Sequence, residues 1–190
     1  ILERTNLVSK KKIIKIGIIG AGNWGKKYIK TIQEIECISL IAISSKNQKT
    51  KEIIPSDCRF FEDWRKILNL TDIDGIIVST PTYSHYEICR EVLNRNIPVL
   101  AEKPLSTKIE EVKNLFEICK NKNSILMINY IHLYHMGFQE IFNIFENKNS
   151  NEFINIFSES GNYGPFRKDT RALWDWGVHD LSLIHISEPT

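Results

Sequence analysis

The stretch "KIIKIGIIGAGNWG", residues 12–25, limits what this chain can become more than any other. An apolar run that continues through both alternating positions and stops at a glycine describes a strand covered on both faces. Such strands belong to parallel sheets, where crossover helices do the covering. The segments "ISLIAIS", "CRFF", "DGIIVST", "IPVLAE" and "SILMINY" read as five further strands. Between them the spacing predicts helices. One follows Gly25 with Tyr28, Ile32 and Ile35 inward, and another spans "EDWRKIL". A third places His85, Ile88, Cys89, Val92 and Leu93 in one stripe. A fourth opens on the capping-box spacing Thr107–Glu110 and turns Ile109, Val112, Phe116 and Cys119 inward. Strand and helix in strict alternation over residues 11–130 mean an α/β domain with a doubly wound parallel sheet.

After Tyr130 the pattern changes. A helix at about 136–147 precedes an alternating strand at 153–157, a turn at "GNYGPF" and a helix near Trp174. Residues 131–180 read as the incomplete start of an α+β second domain, and residues 1–10 as a leader or upstream reading frame.

Charge and cysteine content narrow the partners. A formal charge of +2 gives no electrostatic case for nucleic acid or a membrane surface. Lys10, Lys11, Lys12 and Lys15 read as a solvated strand entrance. Cys37, Cys58, Cys89 and Cys119 form no CxxC pair and suit a reducing compartment. No apolar run reaches membrane-spanning length, so the expected location is cytoplasmic.

Gly20, Gly22 and Gly25 form GxGxxG between the first strand and the first helix. Alone this pattern is weak. In a strand–turn–helix setting it predicts NAD(P) binding: the glycines allow a tight turn, a close approach of backbone to pyrophosphate, and close helix–strand packing. The helix N-terminus offers its N–H groups to the phosphates. An acid at the end of the second strand would read the ribose of NAD, but Ser45 and Lys46 stand there. A hydroxyl and an ammonium suit a 2′-phosphate, so the expectation leans to NADP over NAD; ordinary loop residues are the alternative.

"STPTYSHYEI" and "AEKPLS" lie at carboxyl ends of the fourth and fifth strands, where open α/β sheets bind ligands. Glu102 and Lys103 are either a structural ion pair or part of a site in which the lysine stabilises charge on a substrate oxygen. Asp175 and His179 share a helix face at i, i+4. They are a proton-transfer pair, a surface pair or two metal ligands; no further ligands are evident, so no metal is expected. In the first reading the carboxylate orients the ring or raises its pKa.

Together "IGIIGAGNWG", "VSTPTYSH", "VLAEKPLS", "LMINYIHLY" and "LWDWGVHD", within residues 13–180, resemble the glucose–fructose oxidoreductase / inositol dehydrogenase / MocA (Gfo/Idh/MocA) family. The resemblance implies a Rossmann domain followed by a sheet domain that covers the nicotinamide and supports homo-oligomers. It implies that Gly20, Gly22, Asn23, Trp24 and Gly25 line the pyrophosphate, that Thr80, Pro81 and His85 border the cofactor, and that Glu102 and Lys103 approach its nicotinamide end. The Lys103–Pro104 peptide is often cis in such proteins. Lys103, Asp175 and His179 would be catalytic, with His179 the base, while His132 and Arg167 would touch substrate. The activity implied is hydride transfer between NAD(P) and a hydroxyl carbon of a sugar or nucleotide sugar. A non-catalytic sensor of the same fold is the alternative, disfavoured by the presence of all three proton-handling residues.

Residues 181–190, "LSLIHISEPT", resemble a translation of the mosaic-end adapter used in transposase-based sequencing libraries. The expectation is that they are not native, and that the 190-residue chain binds cofactor weakly at best and does not turn over substrate.

Overall fold

The computed structural model describes residues 12–146, 157, 159, 171 and 173–187. The chain divides into two compact units, Ile1–Ser79 and Thr80–Thr190. Six strands form one parallel sheet in the order β3-β2-β1-β4-β5-β6, so the expected doubly wound α/β architecture is borne out.

The first unit holds β1 (Ile14–Ile19), α1 (Asn23–Gln33), β2 (Ile38–Ser44), β3 (Arg59–Phe61) and β4 (Gly75–Val78). Its core is a set of aliphatic side chains removed from water, Ile18, Ile43, Ile67 and Val78 each 0% exposed. Burial of this kind contributes most of the favourable free energy of folding. The inner face of α1 is made by Gly25, Ile29 and Ile32. This corrects the expected Tyr28–Ile32–Ile35 stripe: the helix ends at Gln33, leaving Ile35 past the end and 37% exposed. "EDWRKIL" forms only a 3₁₀ turn, Trp64–Asn69, capped by the Asp63 carboxylate accepting from Arg65 N–H at 3.0 Å. A segment this short cannot recover the cost of nucleating a longer helix.

The second unit holds α2 (His85–Asn94), β5 (Val99–Ala101), α3 (Ile109–Lys122), β6 (Leu126–Ile128), α4 (Met136–Glu146) and α5 (Val178–Ser187). The buried side of α2 is the expected His85, Ile88, Cys89, Val92 and Leu93. In α3 the expectation fails. Leu115 is its one fully buried residue, while Ile109 and Phe116 are 63% and 55% exposed. The Thr107–Glu110 capping box does not form either. The helix starts one residue later, with Lys108 as its N-cap, and Ser106 closes the entrance by accepting Lys108 N–H at 3.0 Å and donating to Glu111 Oε2 at 2.5 Å. Asn123, at φ 51°, ends the helix in the left-handed conformation that asparagine tolerates. The strand expected at 153–157 and the "GNYGPF" turn lie outside the described residues, Phe157 apart.

Among the described residues no helix is long and apolar enough to cross a membrane. Leu115→Ala is expected to destabilise the protein by about 2–5 kcal/mol. Phe116→Ala is expected to stay within roughly 1 kcal/mol. Urea unfolding of the two variants measures the difference.

Candidate active site

Each unit gathers its own set of candidate residues. In the first, β1 delivers the chain to Gly20, whose φ of 101° only glycine adopts without strain. The carbonyl of Gly20 accepts from Ser79 Oγ at 2.8 Å, and its N–H donates to the Ser44 carbonyl at 2.9 Å. A Cβ on Gly25 would stand 2.2 Å from the Gly20 carbonyl oxygen and 3.0 Å from Ser79 Oγ. Around Gly22, by contrast, a Cβ would meet nothing within 4 Å. Gly22 is also the N-cap of α1, so it brings no side chain to the first-turn amides of Asn23, Trp24 and Gly25, and no acid stands in that turn. Open space against backbone, beside uncapped N–H groups at the positive end of a helix, fits a pyrophosphate. The Lys27 ammonium lies 4.0 Å from the centre of the Trp24 ring. Ser79, which clamps the turn, was missed by sequence reasoning; its place at the end of β4 was the signal available.

At the exit of β2, Ser45 is 8% exposed and its hydroxyl serves the loop itself. It accepts from Asn47 N–H and from Thr50 Oγ1, each at 3.0 Å. Lys46 is exposed. Glu62, at the exit of β3, accepts from the Gln48 side chain. An acid therefore does stand near this loop, carried by the neighbouring strand.

In the second unit His85 is 1% exposed, and both ring nitrogens face backbone carbonyls: Nδ1 to Pro104 at 2.9 Å and Nε2 to Thr80 at 2.7 Å. The ring ties the "TPTYSH" segment to the "EKPLS" turn. Thr80 Oγ1 accepts from Ser84 Oγ at 2.8 Å, and the Pro81 carbonyl accepts from Ser84 N–H at 3.0 Å. Glu102 is 5% exposed and accepts from Asn129 Nδ2 at 2.8 Å. The Lys103–Pro104 peptide is cis.

Lys103 reaches Asp175. Its ammonium donates to Asp175 Oδ1 at 2.8 Å and to the Asp175 carbonyl, with the two side chains only 10% and 20% exposed. Asp175 sits in a π-helical turn, Leu173–Gly177, that runs into α5. His179, in the first turn of α5, is 8% exposed, and its Nδ1 is buried with no hydrogen-bond partner. His132 packs against it, ring centres 4.4 Å apart. Lys103, Asp175, His179 and His132 thus come together. Arg167 lies outside the described residues. Among the described residues no three metal-ligating side chains cluster.

Asp175 acts on His179 in the expected direction, drawing its pKa upward, while its carboxylate also accepts from the Lys103 ammonium. The net His179 pKa is nevertheless lowered to about 4. Burial is the main cause, followed by the charges of Lys103 and His132; the opposing pull of Asp175 and Asp180 does not offset them.

The Gfo/Idh/MocA family, described as an oxidoreductase family with the NAD-binding Rossmann fold, matches residues 14–130. The chain belongs to that family. A dTDP-3,4-didehydro-2,6-dideoxy-alpha-D-glucose 3-reductase of Saccharopolyspora spinosa is 26% identical over 66% of this chain and 39% of its own length. An inositol 2-dehydrogenase of Saccharopolyspora erythraea is 29% identical over 49% of this chain and 29% of its own. A crystal structure of a provisionally assigned oxidoreductase from Magnetospirillum magnetotacticum MS-1 superposes with a TM-score of 0.81 at 28% identity, covering 91% of this chain and 56% of that one. The chain spans about half or less of the length of these relatives.

Gly25→Ala is expected to abolish NAD(P)H binding measured by fluorescence titration, since the new methyl meets backbone. A second expectation concerns pH. An unfolded histidine titrates near 6.5 and His179 in the fold near 4, so between those values the unfolded chain binds a proton that the folded chain excludes. Stability should fall as pH drops from about 6.5 to about 4, and less steeply in His179→Gln, as read from urea midpoints across that range.

Proposed function

We propose that the intact protein is an NAD(P)-dependent oxidoreductase acting on a hydroxyl carbon of a sugar or nucleotide sugar. The meeting of Lys103, Asp175 and His179 carries this reading. Their neighbourhood joins a cation able to polarise an alcohol oxygen to a neutral imidazole able to take its proton. The relatives named for a dTDP-sugar and an inositol support a polyhydroxylated substrate.

In the oxidation direction Lys103, held by Asp175, donates to the substrate oxygen and stabilises charge as it develops. His179 receives the hydroxyl proton at Nδ1, the ring atom with no hydrogen-bond partner among the described residues. A nicotinamide, when bound, supplies the hydride acceptor. Gly20, Gly22, Asn23, Trp24 and Gly25 hold the pyrophosphate, Thr80, Pro81 and His85 shape the adjoining wall, and Glu102 keeps the lysine turn in place through Asn129. His132 and Arg167 face substrate, Arg167 suiting a carboxylate or phosphate. Self-association through the second domain belongs to the same reading.

For the cofactor we favour NADP. Lys46 is the group that would meet a 2′-phosphate, because the Ser45 hydroxyl is engaged within its own loop. Lys46→Asp should shift the NADPH-to-NADH affinity ratio at least about tenfold towards NADH. Preference for NADH in the unaltered protein would reverse this choice.

In the complete protein His179→Ala is expected to lower kcat about 100- to 10,000-fold on a panel of sugars and nucleotide sugars, followed by nicotinamide absorbance. Cofactor binding without reduction across the panel would instead indicate a sensor.

A further inference from the structure

A second titratable ring lies against the proposed base. His132 stands in the 3₁₀ turn Ile131–Tyr134 that follows β6, its ring centre 4.4 Å from that of His179 with the planes 57° apart. It also meets the Phe138 ring edge-on at 5.7 Å, a contact that fixes its orientation. His179 is buried with an unpartnered Nδ1, whereas His132 is half-buried and so in reach of solvent. The charged groups acting on His179 are the Lys103 ammonium from the turn after β5, Asp175 and Asp180 from its own helical segment, and His132. Asp175 and Asp180 draw the His179 pKa upward, but burial and the positive charges outweigh them. With the two rings 4.4 Å apart, a proton on either imidazole opposes a proton on the other.

We propose that His132 and His179 form a pair that holds at most one proton, in which His132 is a positioning residue and the resting pair is uncharged, leaving His179 open to the proton of the alcohol. The proposal rests on His179 being the base of the reaction. The alcohol O–H bond breaks as an N–H bond forms on His179, and hydride leaves the same carbon for NAD(P)+. The resulting imidazolium, placed beside Lys103 and His132, gives its proton up easily, which readies the base for another cycle.

The paired titration can be read without turnover. Histidine-labelled 190-residue chain is titrated by NMR as wild type, His132→Phe and His132→Gln. Phenylalanine keeps the packing against His179 and glutamine keeps polarity, while both remove the charge. The expected result is a His179 midpoint well below the ordinary histidine range in the wild type, raised by roughly one pH unit in both variants. In the complete protein the acid limb of kcat/KM should move upward by the same amount, a change a purely structural role for His132 would not produce. An ordinary His179 midpoint in the wild type, or an unchanged midpoint in both variants, overturns the pairing. Full turnover by His179→Ala would overturn the base assignment instead and leave the paired titration standing.

Discussion

Drawing an ammonium group out of water carries a penalty of several kcal/mol, which a carboxylate that meets it offsets. Lys103, 10% exposed at the end of β5, finds that carboxylate in Asp175, which lies far along the chain. The pair decides much of what surrounds it. It brings the segment of residues 173–187 to the lysine turn, and with it His179. Asp175 still draws the His179 pKa upward, but burial and the nearby positive charges outweigh it. A reaction that needs an uncharged base and a charged hydrogen-bond donor side by side is served by this division. One acid meets the charge of the donor, while burial keeps the base uncharged.

How far the sequence could be read depends on how local the deciding interactions are. The run from Lys12 to Gly25 declares a buried strand, a turn and a helix start, and each is settled by contacts within a few residues or by steric limits on glycine. The inner face of α2 was legible for the same reason, since an unbroken helix keeps its phase. The α3 face was misjudged because the elements packed against the helix, and not its own spacing, choose which stripe is buried, and here that stripe centres on Leu115. The entrance was misjudged for a local reason: Ser106 and Glu111 form side-chain bonds that compete with the equally plausible Thr107–Glu110 box.

At the candidate site the residue types were legible and their partners were not. Spacing suggested that Asp175 and His179 belong together, yet it could not say that Lys103 would claim the carboxylate, because that bond joins positions 72 residues apart. Ser45 shows the opposite case. Its position invited a role towards a ligand, but Asn47 and Thr50, two and five residues on, consume the hydroxyl first. Ser79 and Asn129 carry no motif of their own, and only the folded sheet reveals what they steady.

The π-helical turn at Leu173–Gly177 gives chain length a meaning there. Such a turn accommodates one residue more than an α-helical one, in the manner of an insertion tolerated inside a helix. Removing Trp176 or Gly177, between Asp175 and His179, would turn Asp175 about 100° around the axis relative to α5. The reach of the Asp175 carboxylate to Lys103 therefore depends on the number of residues in that winding as well as on their identity.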